Sequence, residues 1–174
     1  MLELHRWETG SGTPIVCLHE SGTTGEVWRP LAEAIGGRAR TIASDRRGWG
    51  RSPAPEPYTA TTVEEHSEDA ARLIEAVGAA PAVLCGAGFG AVVALDLLVR
   101  RPELARGAVT IEPPLLAFLA EATEALSEDV GALRERISAA GPGAGVELYL
   151  SGRLRALGSG AERLPDGFRA AAER

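Results

Sequence analysis

The stretch "AVLCGAGFGAVVALDLL", residues 82–98, constrains the chain more than any other: a short apolar run enters a glycine-rich turn and leaves as an apolar helix. Glycines permit a turn too tight for side chains, and the free N–H groups of the helix start favour an anion there. Two architectures use such a turn. One is a dinucleotide cradle, for which Gly86-Ala87-Gly88-Phe89-Gly90-Ala91 supplies a G-x-G-x-x-A pattern and Glu112 supplies a ribose-binding acid. The other is the strand-turn-helix elbow G-x-S-x-G, in which Gly88 stands at the nucleophile position and leaves it vacant.

The rest of the first 114 residues alternates in a similar way. "LELHRWE", the turn "TGSGTP" and "PIVCLH" read as strand, turn and buried strand. "GEVWRPLAEAI" sets Val27, Trp28, Leu31 and Ile35 at helical spacing before Gly36 and Gly37 stop it. "ARTIAS" is the next strand, and it runs into "DRRGWGRSPAPEPYTAT", whose prolines and glycines forbid regular structure. Thr61 with Glu64, or Thr62 with Glu65, fits a capping box opening "VEEHSEDAARLIEAVG"; Val63, Ala70, Leu73, Ile74 and Val77 share one face, with His66 beside them. "AVLC" and "RGAVTI" are strands with the helix "FGAVVALDLLVRR" between them.

Strands alternating with helices predict an α/β fold, a three-layer sandwich with a mostly parallel sheet. From Leu115 the pattern is helical only, through "LLAFLAEATEAL", "SEDVGALRERISAA" and "GVELYLSGRLRAL". Residues 1–114 therefore form the core, and residues 115–174 a helical segment not expected to fold independently. The final "GSGAERLPDGFRAAAER" is expected to be poorly ordered or marginally helical.

Composition removes several classes of function. A formal charge of -6, with 24% charged residues, leaves no electrostatic footprint for nucleic acid, and the isolated pairs Arg46-Arg47 and Arg100-Arg101, flanked by acids, read as solvated surface. No run approaches the ~20 apolar residues of a membrane helix, and "MLELHRWETG" is not signal-like, so a cytoplasmic protein without membrane contact is expected. Cys17 and Cys85 sit in apolar runs and read as buried reduced thiols. His5, His19 and His66 are scattered without metal-ligand spacing, so neither a metal nor a cofactor is expected.

Three segments, "IVCLHESGTTGEVWRPLAEAI", "DRRGWGRSPAP" and "VLCGAGFGAVVALDLLVRRPELARGAVTIEPP", follow one another in an order and spacing that resemble the α/β-hydrolase fold family from its second strand through its sixth. The resemblance covers residues 2–114, and the helical remainder resembles the start of the family's cap domain. It implies a truncated α/β-hydrolase fold plus C-terminal cap-like helices. The cradle accounts for one of these motifs; the resemblance accounts for all of them.

The resemblance also assigns roles. The loop that reads His-Gly-x in the family reads His19-Glu20-Ser21 here, which implies that the Ser21 N–H is one oxyanion-hole donor and the Phe89 N–H the other. Glu20 in place of glycine adds a side chain, and a negative charge, beside that hole. In "DRRGWGRS", Asp45 and Ser52 are expected to bond backbone groups. Gly88 carries no nucleophile, and Cys85 and Phe89 point elsewhere. The family's general base, a His after the eighth strand, does not occur in these residues, since all three histidines precede the elbow. An acid at the end of the sixth strand occurs in dehalogenase-like members; Glu112 holds that place, with capping of the "EPP" turn as its alternative role.

A relative of small-molecule ester and C–X bond hydrolases is thus expected, non-catalytic or weakly active as written, with a small-molecule ligand in a pocket between the sheet and the cap helices. One alternative is a non-covalent acid/base enzyme using Glu112, with Glu20; another is a dinucleotide-binding module on the glycine turn. A sheet that stops at "RGAVTI" presents an apolar edge, and a homodimer through it, or poor solubility, is expected.

Overall fold

A computed structural model describes residues 3–58, 60–115, 120–141, 143–145, 147–149 and 151. The chain divides into two compact units, Met1–Pro114 and Leu115–Arg174. The tail expected at residues 158–174 lies outside the described residues.

In the first unit, β1 (Arg6–Thr9), β2 (Pro14–Leu18), β3 (Arg40–Ser44), β4 (Ala82–Ala87) and β5 (Ala105–Ile111) form one sheet in the order β1-β3-β2-β4-β5. Only β1 is antiparallel, pairing with β3. The parallel pairs need crossovers, which the helices α1 (Arg29–Ile35), α2 (Val63–Ala76) and α3 (Phe89–Arg100) supply. Strand period sorts the side chains: Val16, Leu18, Ile42 and Leu84 pack with Leu73 and Ile74 of α2 and with Val93 and Leu97 of α3. The intervening Cys17, Ala43 and Cys85 pack on the other face with Trp28 and Leu31. Both cysteines are buried and free.

Local chemistry explains the boundaries. Of the two capping boxes open in the sequence, the Thr62 one forms: Glu65 N–H donates to Thr62 Oγ1 at 3.2 Å, and Thr62 N–H donates to Glu65 Oε2 at 2.9 Å. The segment read as one helix from Gly25 begins instead as a 3-10 turn, Gly25–Trp28, and becomes α-helical around Pro30, whose ring suits only a helix's first turn. Gly36 then closes α1 at φ 60. β5 forms an edge of the sheet, and Val109 and Ile111 on it are 54% and 47% exposed.

In the second unit, α4 (Ala120–Ala140) runs unbroken where the sequence pattern suggested two helices meeting at Ser127. Ser127 and Gly131 each lower helix propensity by about 1 kcal/mol or less, which does not offset an interrupted hydrogen-bond ladder. The described residues of 143–151 are helical as well.

Candidate functional site

Strand register decides what meets at the glycine turn. β2 and β4 pair in parallel with Cys17 opposite Cys85 and Leu18 opposite Gly86. Two residues further on, the same register brings Glu20 alongside Gly88. Gly88 is the N-cap of α3 at φ 51, ψ -120, a backbone conformation that side-chain-bearing residues rarely adopt, and its N–H donates to the Ile111 carbonyl at 2.9 Å. This is a strained strand-to-helix turn of the kind that exposes a nucleophile.

The space beside Gly88 is filled from the neighbouring loop. A Cβ built on Gly88 would collide with both carboxylate oxygens of Glu20, so that carboxylate stands where an elbow side chain would begin. The turn is otherwise closed to side chains. A Cβ on Gly86 would come within 2.6 Å of Ala91 Cα, and one on Gly90 within 2.7 Å of the His19 carbonyl oxygen. The first turn of α3 thus packs backbone to backbone on the ends of β2 and β4.

The loop carrying Glu20 is held at its backbone. The Glu20 carbonyl accepts from Thr23 N–H at 3.3 Å and Thr23 Oγ1 at 2.9 Å, and His19 Nδ1 lies 2.8 Å from it. Arg46 N–H donates to His19 Nε2 at 2.9 Å, so the ring proton resides on Nδ1 and is donated to Glu20. Burial, reinforced by the charge of Arg46, lowers the His19 pKa to about 3. His19 is therefore a neutral loop brace, and neither ring nitrogen is available as a base.

Arg46 closes the other side. Buried at 5% exposure, its guanidinium lies 4.6 Å from the Phe89 ring centre and 5.0 Å from that of Trp49. His66 meets Phe89 edge-on at 5.3 Å; burial, then the charges of Arg46 and Arg47, hold its pKa down to about 4. The positive charge of Arg46 beside a helix N-terminus makes this end of the sheet favourable to anions.

The remaining motif residues are structural. Asp45 accepts from Gly25 N–H at 2.8 Å and Arg51 N–H at 2.9 Å, and Ser52 Oγ donates to the Asp45 carbonyl at 2.6 Å. Arg47 grips Asp69 with two bonds, of 2.6 and 2.9 Å, and reaches Glu65 at 2.9 Å, tying the loop after β3 to α2. Burial alone would raise the Asp69 pKa; the hydrogen bonds from Arg47 and Arg72 more than reverse it.

Of the residues singled out by sequence, the structure gathers His19, Glu20, Gly88 and Phe89 at the ends of β2 and β4, with Ser21 half-buried on the same loop. Glu112 follows Ile111, whose carbonyl receives the Gly88 N–H, but it is exposed and holds φ 47. The expected solvated surface at Arg46 and Arg47 is not found, since both are buried by ring contacts and by the ion pair to Asp69, and sequence reasoning missed the reach of Glu20 onto Gly88. The signal for that reach was present, since Cys17 and Cys85 each precede their partner by three residues. Among the described residues no cluster of three His, Cys, Asp or Glu could hold a metal, and no helix is long and apolar enough to cross a membrane.

The strand order and the strand-turn-helix elbow define an α/β protein with its site at the ends of β2 and β4, and comparison with known proteins supplies the family. The model of the alpha/beta hydrolase fold matches residues 13–166, and the chain belongs to that family. It is 34% identical over 116 residues to the uncharacterized hydrolase YraK of Bacillus subtilis, covering 67% of this chain and 43% of YraK. It is also 34% identical over 150 residues to 2-(acetamidomethylene)succinate hydrolase of Mesorhizobium japonicum, covering 84% of this chain and 50% of that protein. The chain thus spans half or less of these relatives. A thermophilic esterase from Thermogutta terrifontis shares the fold with a TM-score of 0.72 at 22% identity, over 98% of this chain and 61% of the esterase.

Proposed function

We propose that this chain is the core of a hydrolase-fold protein that performs no covalent nucleophilic chemistry at its elbow and is non-catalytic or only weakly active on esters and related small molecules. One observation carries the reading: Gly88 keeps the conformation of a nucleophile turn while the Glu20 carboxylate occupies the place of the missing side chain. The engagement of both His19 ring nitrogens supports it, because a hydroxyl needs a neighbouring base to attack. The Ser21 and Phe89 N–H groups remain the oxyanion donors of this proposal, and the occupant is a small molecule at the C-terminal end of the sheet, bound without cofactor.

The acid/base alternative gains weight from Glu20 rather than from the exposed Glu112. The dinucleotide alternative loses weight, because a carboxylate already at the start of α3 repels the pyrophosphate that the glycine turn would cradle.

The test is exposure of the chain to a fluorophosphonate probe together with a pre-steady-state assay on p-nitrophenyl acetate. No covalent adduct and no burst are expected. An adduct mapped to residues 86–90, or a stoichiometric burst, would refute the proposal.

A further inference from the structure

We propose that Glu20 is the reactive carboxylate of this site, a general base for water that stands in space for the elbow side chain while arriving from a different loop. This inference rests on the reading that residue 88 supplies no nucleophile. Residue 88 carries no side chain, residue 20 carries a long one, and the carboxylate of the second stands where a Cβ on the first would be. The β2–β4 register places the residues side by side, and the Thr23 and His19 contacts to the Glu20 carbonyl fix the backbone from which the carboxylate extends.

The surroundings favour negative charge at this point. The Glu20 carboxylate lies at the start of the twelve-residue α3, whose first N–H groups have no partner within the helix. Arg46 adds a positive charge on the next residue's ring. His19 does not compete for the role, since both of its ring nitrogens are engaged.

The substrate class is a carboxylic ester of a good leaving group. Glu20 takes a proton from water as the water oxygen bonds to the carbonyl carbon and the carbonyl electron pair moves onto oxygen, facing the N–H groups at the start of α3. The electron pair then returns, the ester C–O bond breaks, and the departing alkoxide takes the proton from the Glu20 carboxyl. Ester and water become acid and alcohol, and Glu20 is regenerated.

The experiment measures p-nitrophenyl acetate hydrolysis by the 174-residue chain and by Glu20→Gln and Glu20→Gly, with folding of each checked by circular dichroism. The wild type should exceed the buffer rate without a burst, and both variants should lose about 10²-fold in kcat/KM. Formate should restore turnover to Glu20→Gly in a saturable manner, because the deleted side chain leaves room for a small carboxylate beside Gly88. It should not rescue Glu20→Gln, whose amide fills that room. A wild-type rate equal to buffer, an undiminished rate in Glu20→Gln, or no formate rescue of a folded Glu20→Gly would overturn the role of Glu20. Any of these without burst or adduct leaves the proposed lack of covalent chemistry standing; a burst removes that premise itself.

Discussion

Restoring a serine at the elbow should destabilise the protein rather than switch it on. Gly88→Ser places a Cβ at φ 51, ψ -120, where a non-glycine residue costs about 1–3 kcal/mol, and drives the new atom into the Glu20 carboxylate. Because the obstacle is the end of a flexible side chain, it can swing aside, at a cost below that of the backbone strain. A total of about 2 kcal/mol corresponds to a fall in Tm of roughly 4–8 °C for a chain of this size. Adding Glu20→Gly should return only the smaller part, since the strained backbone remains. Thermal melts followed by circular dichroism on wild type, Gly88→Ser and the double variant measure both components. Little or no ester turnover should accompany Gly88→Ser, because both ring nitrogens of His19, the histidine on the neighbouring loop, are already engaged. A Gly88→Ser protein that melts with the wild type, or that turns over ester with a burst, would refute the argument.

Acid should weaken the fold early. His19 and His66 hold folded pKa values of about 3 and about 4 against 6.5 unfolded, so the unfolded chain binds more protons and stability falls as pH drops from about 6.5 toward 4. At pH 5 the loss is about 2 kcal/mol per histidine, and His19→Gln should flatten part of a urea-midpoint profile over that range. Asp69→Asn should cost about 3 kcal/mol in urea denaturation, since it strands the buried Arg47 with only the half-buried Glu65; a change below 1 kcal/mol would count against a structural role for the pair. The exposed β5 edge should drive concentration-dependent association, and Val109→Lys should reduce it in light scattering, whereas a monomeric wild type at high concentration would sink this expectation.

The architecture was legible because its signals are local. The Thr62 capping box, the stop at Gly36 and the apolar face of α2 each depend on residues a few positions apart, and the structure realises each of them. The start of α1 was misread because Pro30 disguises a 3-10 entry as helix, and α4 because Ser127 resembles a cap without acting as a break. The site was legible only in part. Its elbow is written in one stretch of glycines, but the placement of Glu20 depends on the pairing of two strands that lie about 70 residues apart in the chain. Nothing local to His19 marks it as a buried brace rather than a base; that follows from Arg46 N–H reaching its ring across the sheet.

The backbone contact at Gly86 and Gly90 also decides which parts of this site can move. With the first turn of α3 seated directly on the ends of β2 and β4, the helix has no side-chain layer on which to slide. Hydrogen exchange at residues 91–94 should be among the slowest in the chain. Adjustment to an arriving ligand is left to the side chain of Glu20, around a frame that stays still.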